Sequence, residues 1–191
     1  LNAAILGPDA EVGTPEFNAF IKSVFVEITA KAGQKCTAIR RVIVPAGRRD
    51  DVIKALAETI SSKVKIGDPR TEGSTTGALA SLEQKGEVSS SVKKLTAAGG
   101  TIAFQSEAPS EGAFYPVTIL TFDDPRNEAI HSVEAFGPVT SVIEYNDFEE
   151  AIELANLGEG SLVATVCTND RKIAQQAVLG IAAHHGRVLV L

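Results

Sequence analysis

Methionine is missing from this chain, and cysteine occurs only twice, as Cys36 and Cys167. Two cysteines cannot build the disulfide framework of a small secreted scaffold. No apolar run reaches the length of a membrane span or of a signal-peptide core. These absences set the expected location as a reducing cytoplasm, away from any membrane. Basic residues are outnumbered, 18 against 24 acidic, for a net charge of −6. With no basic stripe interleaved with aromatics, that balance argues against a nucleic-acid partner. No repeat or low-complexity tract is visible, and no Gly-x-Gly-x-x-Gly opens a helix after a strand, so a dinucleotide-binding fold is not expected here.

What is present suits a sizeable core: 44% of the 191 residues are hydrophobic, enough for one domain spanning 1–191. Leu1 is not an initiator methionine, and both ends read as strands. Ala3–Leu6 runs into Gly7-Pro8-Asp9 with nothing ahead of it to cover its edge, and Arg187–Leu191 stops without a turn signal. The chain is therefore expected to be a piece of a longer protein.

Between the ends, strand and helix patterns alternate. Thr14-Pro15-Glu16 starts a helix whose apolar residues Phe17, Phe20, Ile21, Val24, Phe25 and Ile28 recur at helical spacing up to Gly33. Arg40–Pro45 reads as a strand and Asp50–Val64 as an amphipathic helix. Leu82–Ala98 is helical and is closed by Gly99-Gly100 ahead of a short strand, Thr101–Phe104. Phe114–Phe122, Val139–Tyr145 and Leu162–Thr168 read as strands. Asp147–Ala155 lies between the last two as a helix, and Asn169-Asp170 caps another through Leu179. This order predicts an α/β domain with helices layered on a largely parallel sheet.

Cys36 is the candidate nucleophile. It sits in Ala32-Gly33-Gln34-Lys35-Cys36-Thr37-Ala38, where a basic neighbour, a following helix start and partial exposure would each favour the reactive thiolate. Glu134-Ala135-Phe136-Gly137-Pro138-Val139 places a carboxylate that can accept hydrogen bonds from ribose hydroxyls beside a ring that can pack on a flat heterocycle. Cys167, in an apolar strand pattern, reads as a core residue. His131 reads as a loop residue. His184 and His185 are adjacent on an extended segment and point to opposite sides, so no metal site is expected.

The succession Gly-Gln-Lys-Cys-Thr-Ala at 33–38, Phe-Tyr-Pro-Val-Thr-Ile-Leu at 114–120, Glu-Ala-Phe-Gly-Pro-Val at 134–139, then Leu-Val-Ala-Thr-Val-Cys-Thr before a capped helix resembles the catalytic domain of the NAD(P)-dependent aldehyde dehydrogenases. The resemblance covers nearly the whole chain. Leu1–Ala10 and Lys31–Arg41 look most like the dehydrogenase part of the bifunctional ring-opening enzymes of phenylacetate degradation, which also carry a hydratase-like domain.

The resemblance implies the three-layer aldehyde dehydrogenase fold, with Cys36 attacking an aldehyde to form a thiohemiacetal and then a thioester. It implies Glu134 on the nicotinamide ribose, Phe136 beside the ring, NADP or NAD as cofactor, a CoA-linked aldehyde as substrate and a homo-oligomeric full-length protein. The family's oxyanion asparagine, phosphate and adenine contacts, and water-activating glutamate lie upstream of this segment. The chain alone is therefore expected to be inactive. Glu11, Glu16 and Glu27 read as turn and helix-surface acids, not replacements for that glutamate. Two alternatives stay open at the level of sequence: a CoA-acylating dehydrogenase or acyl transferase, and a noncatalytic interaction domain in which Cys36 is structural.

Overall fold

The computed structural model describes residues 1–191. In chain order the elements are β1 (Ala3–Leu6), α1 (Pro15–Thr29), a 3-10 turn (Ala30–Gly33), β2 (Arg41–Pro45), α2 (Arg49–Lys63), α3 (Leu82–Ala97), β3 (Thr101–Gln105), β4 (Thr118–Thr121), α4 (Glu128–Ser132), β5 (Val139–Tyr145), α5 (Phe148–Asn156), β6 (Ser161–Cys167), α6 (Arg171–Ile181), a second 3-10 turn (Ala182–His184) and β7 (His185–Val190). The seven strands form one sheet in the order β3-β4-β5-β2-β1-β6-β7. Only the β3–β4 pair is antiparallel.

Alternation along the strands divides the core in two. Ala3, Ile5, Ile43 and Ile143 face one side, where Val88, Val92 and Leu95 of α3 and residues of α4, α5 and α6 cover them. Ala4, Leu6, Val42, Val44 and Val142 face the other, under Phe17, Phe20 and Val24 of α1 and Val52, Leu56 and Ile60 of α2. Helices on both faces of a parallel sheet explain why β1 and β2 read as unbroken apolar runs. Side chains start four helices: Thr14 and Asp170, both expected, and Ser81 and Asp147 each accept from a backbone N–H of the first turn.

Three expectations need correction. β1 is no uncovered edge, because β2 and β6 pair with it on either side. The Phe114–Phe122 strand shrinks to Thr118–Thr121. Pro116 has no N–H to give a ladder, and Val117 instead bonds Ser106 through its N–H and its carbonyl. His131 lies in α4, not a loop, and is buried.

That histidine belongs to the deepest polar cluster of the fold. Arg41, at the start of β2, is fully buried with no carboxylate partner. Its guanidinium donates to the carbonyls of Leu154 (2.7 Å) and Ala155 (2.9 Å) in the last turn of α5, and to Leu1 O at 2.6 and 3.1 Å. A cation there meets the negative end of the helix dipole and adds a charged donor to the carbonyls of the last turn. Burial lowers the Arg41 pKa to about 10, which still leaves it charged at neutral pH. Nη1 also lies 3.0 Å from His131 Nδ1, while His131 Nε2 lies 2.8 Å from Pro125 O. Since guanidinium only donates, Nδ1 is the acceptor and the proton sits on Nε2, donating to Pro125.

The arrangement keeps His131 neutral, and burial, seconded by the Arg41 charge, holds its pKa down to about 4 against an ordinary 6.5. Between those values only the unfolded chain takes up the proton. The stability contributed is full above pH 6.5 and is lost as pH falls toward 4, by about 3 kcal/mol. Urea denaturation across that range should show the loss, and His131→Gln, which keeps an acceptor and a donor but cannot titrate, should flatten this part of the profile. Unchanged pH dependence in the variant would contradict the assignment.

Candidate active site

The turn bearing Cys36 is shaped by an abrupt exit from α1. After Thr29 the chain enters the 3-10 turn, and Lys31, Ala32 and Gly33 all take positive φ values of 53°, 52° and 70°. For the two non-glycine residues this conformation costs on the order of 1–2 kcal/mol each. It turns the chain away from the helix axis and brings Gly33 against the loop before β5. A Cβ at Gly33 would run into the Gly137 carbonyl, so glycine is required both by φ and by the close approach.

Cys36 follows on a turn closed by Ala38 N–H donating to Lys35 O at 3.0 Å. The thiol is exposed. Asn2, buried at the entrance to β1, donates from Nδ2 to the carbonyls of Cys36 (2.8 Å) and Ala38 (2.9 Å) and accepts from Val163 N–H (3.1 Å). One amide thus fixes the thiol turn to β1 and β6. Cys36 N–H makes no hydrogen bond within the protein, leaving a backbone donor free beside the sulfur.

The local reasons expected for thiolate formation are only partly met. No helix begins after Cys36; the chain passes through the turn straight toward β2. Lys35 Nζ is neutralised by Glu27 at 2.8 Å, and the other oxygen of Glu27 accepts from Thr37 Oγ1 at 3.2 Å. Glu27 is accordingly a brace for the turn, not a free surface acid. Cys167, by contrast, is completely buried at the end of β6, and burial, with Glu16 adding to it, pushes its thiol up to about 12.

Glu134 and Phe136 lie on the loop between α4 and β5, both exposed. Phe136 lines an open cavity of ≈ 660 Å³ together with Lys31, Ala32, Gln34 and Gln84. Gln34 and Gln84 are hydrogen bonded to each other at 3.2 Å. Cys36 is outside that lining. The thiol turn and the Glu134–Phe136 loop meet through Gly33 and Gly137 and through Arg40, whose Nη2 donates to Gly33 O (2.7 Å) and whose Nη1 donates to Gly137 O (2.5 Å). Sequence alone assigns no role to Asn2, Arg40 or Gln84, and it reads Glu27 as a helix-surface acid. Only Arg40-Arg41 carried a signal, as paired cations at the mouth of an apolar strand. His184 is exposed at the end of the second 3-10 turn and His185 is buried as the first residue of β7, so the two are not adjacent on one extended segment as expected.

The sequence profile of the aldehyde dehydrogenase family matches residues 2–189. The 3,4-dehydroadipyl-CoA semialdehyde dehydrogenase of Aromatoleum evansii is 41% identical over 202 aligned positions, covering 100% of this chain and 38% of that protein. Among solved structures, aldehyde dehydrogenase from Bacillus cereus superposes with a TM-score of 0.86 at 27% identity, over 99% of this chain and 37% of its own. Betaine aldehyde dehydrogenase of Staphylococcus aureus, solved in complex with NAD+, gives the same TM-score and identity, over 99% of this chain and 38% of its own. The chain spans a little over a third of the length of these proteins.

The Gly33–Gly137 contact can be separated from the general cost of a left-handed alanine. Gly13 also has a positive φ, 89°, but open space around it. Gly13→Ala should cost about 1 kcal/mol. Gly33→Ala, which adds a clash with backbone, should cost about 3 kcal/mol or more. Equal losses in urea denaturation would mean the two loops are not in contact.

Proposed function

This chain belongs to the aldehyde dehydrogenase family, and we propose that Cys36 is the nucleophile of an NAD(P)-dependent oxidation of an aldehyde, with a CoA-linked semialdehyde as the substrate class. The observation that carries this reading is the junction of an exposed thiol turn with the Glu134–Phe136 loop across the Gly33–Gly137 contact. The choice of substrate class leans on likeness to a relative named for 3,4-dehydroadipyl-CoA semialdehyde.

In this reading the Cys36 thiolate forms a C–S bond to the aldehyde carbon, and the carbonyl electron pair moves onto oxygen. The free Cys36 N–H donates to that oxygen, a contribution worth roughly two to three orders of magnitude in rate when one such donor is lost. The cofactor, when bound, supplies an acceptor for the hydride leaving that carbon, and the carbonyl re-forms as a thioester on Cys36. Water then breaks the C–S bond, giving a carboxylic acid and the free thiol. Glu27 is a poor base for that water, since Lys35 and Thr37 occupy its two oxygens.

The Phe136 ring, at the cavity that also touches the thiol-bearing loop, and the exposed Glu134 carboxylate two residues before it suit the nicotinamide-ribose end of a dinucleotide. We assign the remaining cofactor contacts, and the base that activates water, to residues outside 1–191. Residues 1–191 are then the thiol-bearing domain.

Two measurements test the reading. Brief alkylation with iodoacetamide followed by mass-spectrometric mapping should label Cys36 well ahead of Cys167, because exposure favours the first and burial suppresses the second; preferential labelling of Cys167 would exclude Cys36 as the nucleophile. In the full-length protein, Glu134→Gln should weaken cofactor binding or slow the burst of reduced cofactor by about a hundredfold, the scale of an ångström's misplacement of the ring. A stopped-flow burst and a cofactor affinity both unaltered would reduce Glu134 to a solvated turn residue.

A further inference from the structure

Arg40 joins four features that the proposed function treats separately. Its side chain is only 4% exposed. Nη2 holds the carbonyl of Gly33, three residues before Cys36, and Nη1 holds the carbonyl of Gly137. The guanidinium carbon lies 5.3 Å from the centroid of the Phe136 ring, within cation–π range. The remaining donor, Nε, is buried without a hydrogen-bond partner. The nearest carboxylate oxygen, Glu134 Oε1, stands 3.5 Å away on a side chain that is 48% exposed.

A buried charged donor that has only this long ion-pair contact and no hydrogen bond carries a cost. Here it can be relieved by a small inward movement of Glu134. A ligand that orders Glu134 and Phe136 is therefore favoured by closing the Nε gap, and the same planar guanidinium transmits the change to Gly33. Lysine cannot substitute, because a single ammonium lacks the planar fork that reaches both carbonyls and the carboxylate. The Gly33–Gly137 contact leaves no slack between the loops to absorb the movement.

We propose that Arg40 is a positioning residue that couples occupancy of Glu134 and Phe136 by a nicotinamide nucleotide to the reactivity of Cys36. This rests on the function proposed above. The test uses the full-length protein, with NADP+ and NAD+ as probes. The rate of Cys36 alkylation is measured with and without saturating cofactor, and cofactor affinity is titrated independently. Cofactor should change the alkylation rate by about fivefold or more, the lower end of ordinary coupling between sites. In Arg40→Lys the cofactor should still bind, but its effect on alkylation should fall below about twofold on the same scale.

An undiminished response in Arg40→Lys overturns the coupling, as does an alkylation rate indifferent to bound cofactor in the unsubstituted protein; neither result touches the proposed function. A protein that binds neither cofactor, or that oxidises aldehydes after Cys36→Ala, overturns that function and the coupling with it. Should Arg40→Lys fail to fold, hydrogen exchange on the unsubstituted protein decides the matter. Cofactor should slow exchange in residues 134–138 and in 30–37 together, and protection confined to 134–138 overturns the proposal.

Discussion

Two neighbouring guanidinium groups, Arg40 and Arg41, are withdrawn from water where the chain enters β2, and backbone carbonyl oxygens take most of their hydrogen bonds. A buried cation normally needs an anion; Arg41 has none and Arg40 has only Glu134, 3.5 Å from its Nε, so most of their partners are dipoles whose positions are set by the fold. Each arginine therefore ties its surroundings into one geometry. Arg41 gathers Leu1, the end of α5 and α4 around the start of the central strands, and Arg40 gathers the thiol-bearing turn and the loop before β5. The backbone N–H groups of both residues also donate to Asn2 O, at 3.1 Å each, so the side-chain clamp and the strand pairing share one origin.

The strained turn at Lys31, Ala32 and Gly33 is maintained by the same anchoring. Consecutive left-handed residues would relax if they were free, and Arg40 removes that freedom by holding Gly33 O against Gly137. Asn2 fixes the far side of the same segment through Cys36 and Ala38. The thiol is thus exposed on a stretch of backbone restrained at both ends.

Much of this architecture was legible in the amino-acid order because it depends on local periodicity. Val139–Tyr145 and Ala3–Leu6 matched the strands observed, and the parallel sheet followed from alternation of strand and helix patterns. α4 was missed because five residues are too few to display a helical period, although Asn127 ahead of Glu128 was a usable cap signal. The candidate site was suggested by residue types, but its connections were not visible in the sequence. Lys35 looked like a free cation because its partner Glu27 lies one helix back, and the roles of Asn2 and Arg40 arise from contacts with segments distant in sequence. No window of neighbouring residues contains that information.

The place of β1 in the middle of the sheet also governs the order of assembly. Its four residues are fully buried, and on one side they pair with Ala164–Cys167. A ribosome adding about 5–20 residues per second delivers that partner roughly 10–30 s after β1 has emerged. Until then Ala3–Leu6 is an apolar strand with one face of its ladder unfilled, and closing so long a loop is slow. The seam between β1 and β6 inside the sheet therefore closes late, followed only by the addition of β7 to β6, and the interval before β6 arrives is when the nascent chain most needs protection from pairing with another molecule.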